Sequence, residues 1–517
     1  MRIKKIIIKN YKSIKELVIE DFSELNVLIG KNDSGKSNIL SVLDLIFNSN
    51  SHDLKLAETN ILETKFKENV SRLFFDKNNP FSEITVFLEI SKHELEKADL
   101  KSDETNDEIV ISRKLLENKL VLDFLRLNKV VLVKTPDEKN RFLENNSFTD
   151  NYANFDGKRF LEQLPRRFQL IPADRNIIRS PAESSGKMKA EKYIKNSLMS
   201  LANSNDEDKN LLFEQFTDFI NDISPLICKI ESVKKNGIII DLKFKNIFLQ
   251  EIPLSTIGGG NNELLLLLHE IIVSGGKVLA IEEPEIHLHP EAERKLFRFM
   301  QEFSQTTQML IVTHSSIFVQ PTNLHGLLRV VKKGQNTEVY GLKHTIIDNN
   351  RLIQELNAEN CEMFFADKVL LVEGISDKIM MEGLIDKYCK SAEEIKVVSS
   401  FSKDNFEVYV ELLKIFKIPF ILMTDLDSLK GRFQIKIIWR ELKGKKFRDR
   451  REKISFLKTK RIHVLSKGDL ERSYPKKYLR GLSKPLDALY AIHNLSNEEY
   501  YSNRMNDLRE VIISLEK

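Results

Sequence analysis

Gly30-Lys31-Asn32-Asp33-Ser34-Gly35-Lys36-Ser37 decides how this chain is read. The run fits G-x-x-x-x-G-K-[ST] and stands between a predicted strand, Leu25 to Ile29, and a predicted helix, Ser37 to Phe47, as a phosphate-binding loop must. At ordinary glycine usage the bare pattern arises in on the order of a few chains per hundred of this size, and the strand-loop-helix setting makes coincidence rarer still. Gly30 and Gly35 let backbone N–H groups turn inward as an anion nest. Lys36 can reach the β and γ phosphates, and Ser37 can hold Mg²⁺ at the helix N-terminus. Asn32, Ser34 and Asn38 complete the candidate nucleotide contacts.

Three later segments suit the same chemistry. Leu254-Ser255-Thr256-Ile257-Gly258-Gly259-Gly260 is a Ser/Gly-rich turn opening a leucine-rich helix, again a geometry that receives phosphate. Val278 to Ile281 is an apolar strand delivering Glu282 to a Mg²⁺ shell and Glu283 to polarise an attacking water. Met309 to Val312 carries His314 just past its tip. A lone histidine there is more often structural, but here it is the fourth element in order. His287 and His289 form an i, i+2 pair without a third ligand, so a structural role is expected for both.

A second constellation lies downstream. Val369 to Val372 is a buried-strand run delivering Glu373 and Gly374, with Asp377 on the helix that follows, and Phe420 to Met423 ends in Asp425-Leu426-Asp427. Acids at the C-terminal ends of neighbouring parallel strands converge on one crevice. Such carboxylates repel unless a cation sits among them, and all-oxygen ligands select hard ions such as Mg²⁺ or Mn²⁺. Either segment alone would read as a solvated turn.

Length and composition set the frame. At 517 residues, 41% hydrophobic and 30% charged, the chain has material for two to four folded domains. No apolar run approaches the ~20 residues of a membrane span. The three cysteines form no C-x-x-C pair, and Met1-Arg2-Ile3-Lys4-Lys5 runs straight into a strand-like segment, so a cytoplasmic setting is expected. Strands alternate with helices throughout, which predicts an α/β fold of covered sheets. Met188 to Ala202 and Asn210 to Ile223 read as a helical hairpin, and a boundary is expected near residue 355. Residues 430–461 carry fourteen Lys or Arg against three Asp or Glu, a local +11 in a chain of net +4. By charge alone this is equally a solvated face and a polyanion-binding surface. Phe433, Trp439, Phe447 and Phe456 interleave it, and core packing is the expectation for most of them.

The first four motifs stand in the order of an ABC-type ATPase and resemble SMC/RecF-like heads, supported by Asn10-Tyr11-Lys12-Ser13-Ile14, with Lys12 a nucleotide contact, and by Glu285-Ile286-His287-Leu288-His289-Pro290. By that resemblance two heads sandwich ATP, with Ser255, Gly258 and Gly260 of one protomer completing the loop of the other. The second constellation resembles the Toprim signature, with Gly468-Asp469-Leu470-Glu471 and Ser483-Lys484-Pro485 matching its later acidic and basic elements. An ABC-type head (1–355, helical dimerisation insert about 181–226) followed by Toprim (356–517, basic insertion about 430–461) resembles the OLD (overcoming lysogenization defect) family of ATP-dependent nucleases. Three departures stand out. Glu282 replaces the usual Asp, Asp377 replaces a commoner Glu, and residues 397–402 lack the glycine that many members carry; Gln169 is the candidate Q-loop glutamine.

The resemblance implies ATP with Mg²⁺ at the first site and two divalent ions at the second, bound by Glu373, Asp377, Asp425, Asp427 and Glu471. Lys484 would then stabilise charge on a scissile phosphate. The activity implied is a DNA endonuclease acting in anti-phage defence, as a homodimer or larger, with a helicase-like protein or a reverse transcriptase and its RNA as candidate partners. A topoisomerase or primase would need further modules. An ATP-driven clamp or sensor without nuclease activity is the main alternative, in which the acids are only structural.

Overall fold

The computed structural model describes residues 1–48, 53–55, 73–76, 78–79, 81–92, 106–116, 119–127, 130–134, 157–173, 186–223, 229–236, 238–245, 250–251, 259–342, 356, 359–429, 434–481 and 483–517. These divide into two compact units, Met1–Phe318 with Gly326–Val339, and Val319–His325 with Tyr340–Lys517.

In the first unit, β1 (Arg2–Tyr11) and β2 (Ile14–Glu20) pair as an antiparallel hairpin, and β3 (Leu25–Ile29) departs from it. Strands β4 (Asp53–Lys55), β5 (Phe81–Ser91), β6 (Asn106–Leu116), β7 (Lys119–Leu127) and β8 (Val130–Lys134) extend that hairpin into a sheet of order β2-β1-β5-β6-β7-β4, with β8 on β7. One face is apolar by strict alternation: Ile84, Val86, Leu88 and Ile90 of β5 are fully buried while their neighbours are not.

A second sheet carries the chemistry. Its strands β9 (Phe168–Ile171), β12 (Val278–Glu282), β13 (Met309–Val312), β14 (Leu327–Lys333) and β15 (Asn336–Gly341) are ordered β15-β14-β3-β13-β12-β9; β10 (Lys229–Lys235) and β11 (Ile238–Lys245) form a separate hairpin. β14, β3, β13, β12 and β9 run parallel, and β3, β12 and β13 are almost continuously apolar, as strands covered on both faces must be. Helix α1 (Lys36–Phe47) follows β3 and buries Ile39, Leu40, Leu43, Ile46 and Phe47, the last stacked on Phe168 at 4.8 Å between ring centroids. Helices α2 (Gly186–Ala202) and α3 (Glu207–Ile223) form the expected hairpin. Helices α4 (Gly259–Val273) and α5 (Pro290–Phe303) flank β12 in sequence; α5 has proline at its first turn, His289 as N-cap, and Leu296, Phe297, Met300 and Phe303 on its buried face.

The second unit is a four-stranded parallel sheet of β16 (Lys368–Val372), β17 (Ile395–Ser399), β18 (Phe420–Thr424) and β19 (Ile462–Val464), in the order β17-β16-β18-β19. This is a doubly wound order whose reversal falls between β16 and β18. Its core joins Leu370, Val372, Ile421 and Met423 to Met380 and Leu384 of α6 (Ile375–Tyr388). Helices α7 (Phe406–Ile415), α8 (Lys436–Leu442), α9 (Arg450–Thr459), α10 (Lys484–Asn494) and α11 (Asn506–Leu515) complete it. Among the described residues no helix is long and apolar enough to cross a membrane.

Candidate functional site

The loop between β3 and α1 is shaped by left-handed backbone at Gly35 (φ 104°) and Asp33 (φ 62°). A Cβ on Gly30 would fall 2.2 Å from the Val330 carbonyl oxygen, and one on Gly35 2.3 Å from Thr337 Oγ1, so neither position admits a side chain. Lys36 Nζ donates to the Gly30 and Lys31 carbonyls at 2.7 and 2.8 Å, which holds the ammonium inside the loop. Burial lowers its pKa to about 8, against the opposing pull of Glu283 and Glu285. Ser34 is buried with no hydrogen-bond partner for its hydroxyl among the described residues, while Asn32 and Ser37 are exposed. Cradle glycines, an orphan hydroxyl and a lysine inside the loop fit a bound nucleotide phosphate.

The loop is braced from behind. Asn38 donates to Ser13 Oγ at 2.8 Å, Ser13 Oγ lies 2.7 Å from Thr337 Oγ1, and Thr337 donates to the Ser34 carbonyl at 2.9 Å. Lys12, left-handed at φ 49°, reaches Ser41 Oγ at 3.1 Å, one turn into α1. Lys12 and Asn38 thus tie the β1–β2 turn to the loop helix.

Strand order brings the other motifs to the same end of the sheet. β13 lies between β3 and β12, so His314 emerges between the loop and the two glutamates. Glu282 ends β12 opposite Val312. Glu283, at φ 44°, donates its N–H to the Val312 carbonyl at 2.7 Å, and its carboxylate lies 3.9 Å from His314 Nε2. Burial and Lys36 lower the His314 pKa against the pull of Glu283 and Glu285, so the ring is a neutral acceptor or donor near pH 7. Glu285, which sequence reasoning gave no role, accepts from the Thr313 hydroxyl at 2.8 Å and the His314 N–H at 2.7 Å. Its place in Glu282-Glu283-Pro284-Glu285 was the available signal.

Ser255 and Gly258 lie outside the described residues, and Gly260 is in the first turn of α4. The Q-loop candidate Gln169 is corrected: its amide donates to Glu270 Oε2 at 2.8 Å and accepts from Ser274 and Lys277 at 2.5 and 3.1 Å, so it is consumed in packing β9 against the end of α4. His287 pairs with Glu263 at 2.9 Å and His289 caps α5.

In the second unit, Glu373 leaves the end of β16 and Asp425 the end of the adjacent β18, at the reversal of strand order. Asp377 Oδ2 accepts the Gly374 N–H at 3.0 Å. Burial, then Asp377, Glu373 and Asp427, push the Asp425 pKa up to about 8; burial likewise pushes Asp377 up to about 6, with Glu373 and Glu471 adding to it. All five acids therefore share one electrostatic site. Lys484, on the first turn of α10, pairs with Glu471 Oε1 at 3.0 Å. Lys403, unanticipated from sequence, contacts Asp427 Oδ1 and lies 3.5 Å from Glu373 Oε2. The donors are all carboxylate oxygens, the chemistry a hard divalent ion selects, although among the described residues no three of them stand close enough to hold one as the side chains lie. Within the glycine-free segment 397–402, Phe401 is held left-handed at φ 58°.

The basic insertion forms α8 and α9, and its aromatic rings need a correction. The core there is aliphatic, Ile438, Ile454 and Leu457, so no aromatic is needed inside. Trp439 is exposed beneath Lys443 (4.8 Å from Nζ to the ring centroid), and half-buried Phe456 lies under Lys445 at 4.1 Å; Phe447 packs on Phe456 at 5.5 Å, and Phe433 lies outside the described residues.

Family comparison agrees with this layout. The family described as AAA ATPase domain matches residues 1–319, and that described as overcoming lysogenization defect protein-like, TOPRIM domain, matches residues 364–427. The chain belongs to the AAA ATPase domain family and joins that domain to an OLD-like Toprim domain. Its ATPase domain and Toprim domain are those of an ATP-dependent nuclease. Relatives include the Endonuclease GajA of Bacillus cereus, 23% identical over 488 residues covering 78% of this chain and 70% of that protein. The OLD nuclease of Thermus scotoductus is 34% identical over 160 residues, 28% of this chain and 30% of that protein. An ATP/GTP phosphatase of Helicobacter pylori is 22% identical over 375 residues, 71% of this chain and 98% of its own length. Among solved structures, an SMC head bound to the C-terminal winged-helix domain of ScpA gives a TM-score of 0.44 at 14% identity, covering 66% of this chain and 98% of that one. The SMC head domain of Thermotoga maritima gives 0.38 at 17%, covering 66% of this chain and 100% of that one.

Proposed function

We propose that this chain is an ATP-binding and ATP-hydrolysing DNA endonuclease whose backbone hydrolysis takes place at Glu373, Asp377, Asp425, Asp427 and Glu471. The observation that carries the reading is the convergence of these acids at the point where strand order reverses in the second unit, beside a lysine-rich insertion. Divalent ions, when bound, supply Lewis-acid stabilisation and an activated water to phosphodiester hydrolysis. Glu373, Asp425 and Asp427 would hold one ion and Asp377 and Glu471 a second, and Lys484 would neutralise charge on the scissile phosphate. The basic insertion, with Trp439 exposed among its lysines, would hold the DNA backbone.

In the first unit, Lys36 would bind the β and γ phosphates and Ser37 with Glu282 the Mg²⁺ of ATP. Glu283 would orient the attacking water, and His314 would contact the γ phosphate. Ser255, Gly258 and Gly260 would act across a homodimer that the α2–α3 hairpin joins. We take the domains as 1–355 and 356–517, the setting as cytoplasmic and the role as anti-phage defence. A helicase-like protein, a reverse transcriptase with its RNA, or no partner at all are the alternatives for its assembly. The clamp reading is not favoured, because both matched families are those of the nuclease layout. Retained plasmid cleavage by Glu373→Ala protein would remove the assignment of the site.

A further inference from the structure

Lys403 stands where a cation is needed. Its Nζ contacts Asp427 Oδ1 and lies 3.5 Å from Glu373 Oε2, and its side chain is only 14% exposed. The turn that carries it is fastened to the strand end that carries Glu373: Ser399 Oγ donates to the Glu373 carbonyl at 3.3 Å, and Ser400 N–H to the Val372 carbonyl at 3.0 Å. Ser402 then caps the short helical turn Lys403–Asn405, and Asn405 Nδ2 donates to the Ser400 carbonyl at 3.0 Å. The ammonium is therefore delivered by a braced loop rather than by a wandering side chain. Among the described residues, no three of the carboxylates stand close enough to hold an ion as the side chains lie. The lysine occupies the space between two of them.

We propose, on the reading of these acids as a divalent-metal site, that Lys403 is a resident counter-ion of that site, and that a divalent ion gains Glu373 and Asp427 only by displacing its ammonium. Two like-charged carboxylates in a half-buried crevice repel, and the lysine neutralises them until the ion arrives. An ammonium and a divalent cation cannot both take the same carboxylate lone pairs, and their mutual repulsion at this range is strong. The lysine therefore stabilises the metal-free fold and weakens metal affinity through one contact.

The test is Mn²⁺ binding to the full-length, nucleotide-free protein, followed by the electron paramagnetic resonance of free Mn²⁺, with thermal unfolding measured in parallel. Asp425→Asn defines the Toprim-site ions as those it removes. Lys403→Met should bind these ions about tenfold more tightly than wild type or better, should unfold several degrees lower without metal, and should regain that loss with Mn²⁺. Lys403→Arg keeps the charge and should stay near wild type, which separates charge from folding damage. Equal or weaker Mn²⁺ binding by Lys403→Met, with Asp425→Asn still removing the ions, overturns the counter-ion role and leaves the metal site standing. If Asp425→Asn removes no Mn²⁺ from wild type, the metal reading of the acids fails, and the role of Lys403 fails with it.

Discussion

The Glu285 carboxylate accepts the backbone N–H of His314 at 2.7 Å, so the acid closing one motif fixes the strand tip that carries the next. The Thr313 hydroxyl adds a second bond to the same oxygen at 2.8 Å. Glu285 thus holds His314 through its backbone, a positioning role. Glu285→Ala should lower the kcat of ATP hydrolysis by about 10- to 100-fold, as expected when an oriented catalytic group is released, with KM for ATP changed much less. Glu285→Gln keeps the acceptor and should recover most of the loss. Steady-state ATPase kinetics read both.

His463 of β19 is buried, and burial together with Lys458 lowers its pKa to about 4, against the pull of Glu510 and Asp507. In the unfolded chain the same ring titrates near 6.5. The folded form binds the proton less well, so its contribution is complete above pH ~6.5 and is lost as pH falls toward 4, by up to about 3 kcal/mol. Asp425 and Asp377, raised in the fold, gain stability over the same fall in pH, so the reading is the difference between proteins: the unfolding free energy of wild type relative to His463→Gln, from urea unfolding, should fall between pH 7.5 and pH 5.

Phe401 holds a left-handed backbone (φ 58°) and is 53% exposed as a residue. An L-residue there is strained by about 1–2 kcal/mol relative to glycine. Phe401→Gly should therefore be more stable than Phe401→Ala by about 1 kcal/mol, measured by denaturant unfolding of the full chain.

The lysines over the insertion's aromatic rings, Lys443 on Trp439 and Lys445 with Lys460 (6.0 Å from Nζ to the ring centroid) on Phe456, predict a salt signature. Replacing Lys443, Lys445 and Lys460 together with Gln should reduce the slope of log K against log salt for duplex DNA by about 2 to 3, since each phosphate contact contributes about 0.9. Trp439→Ala should weaken single-stranded DNA binding by about 1–3 kcal/mol if the exposed ring stacks on a base. Fluorescence anisotropy at several salt concentrations separates the two effects.

How much of this was legible beforehand follows from physics. The loop Gly30 to Ser37 and the strand tips at Glu282, His314, Glu373 and Asp425 were readable because each is a local pattern: an apolar strand, then a polar residue where the strand stops. The α2–α3 hairpin showed through its period. The three-residue β19 did not, being too short to carry one. Lys403 was invisible for another reason: what recruits it to Glu373 and Asp427 is the juxtaposition of the ends of β16 and β18 with the turn after β17, a tertiary fact. Trp439 misled because aromatic residues usually fill cores, while here Ile438, Ile454 and Leu457 already do so.

The central claim is that the second unit's acids hydrolyse DNA under the control of the first unit's ATP site. Purified protein incubated with supercoiled plasmid in Mg²⁺ or Mn²⁺, with and without ATP, beside Glu373→Ala and Asp425→Ala, tests it most directly. The account predicts nicked or linear product from wild type alone, and a cleavage rate that changes when ATP is added. Equal cleavage by the two variants, or no cleavage by wild type in either metal while ATP is still hydrolysed, would contradict it.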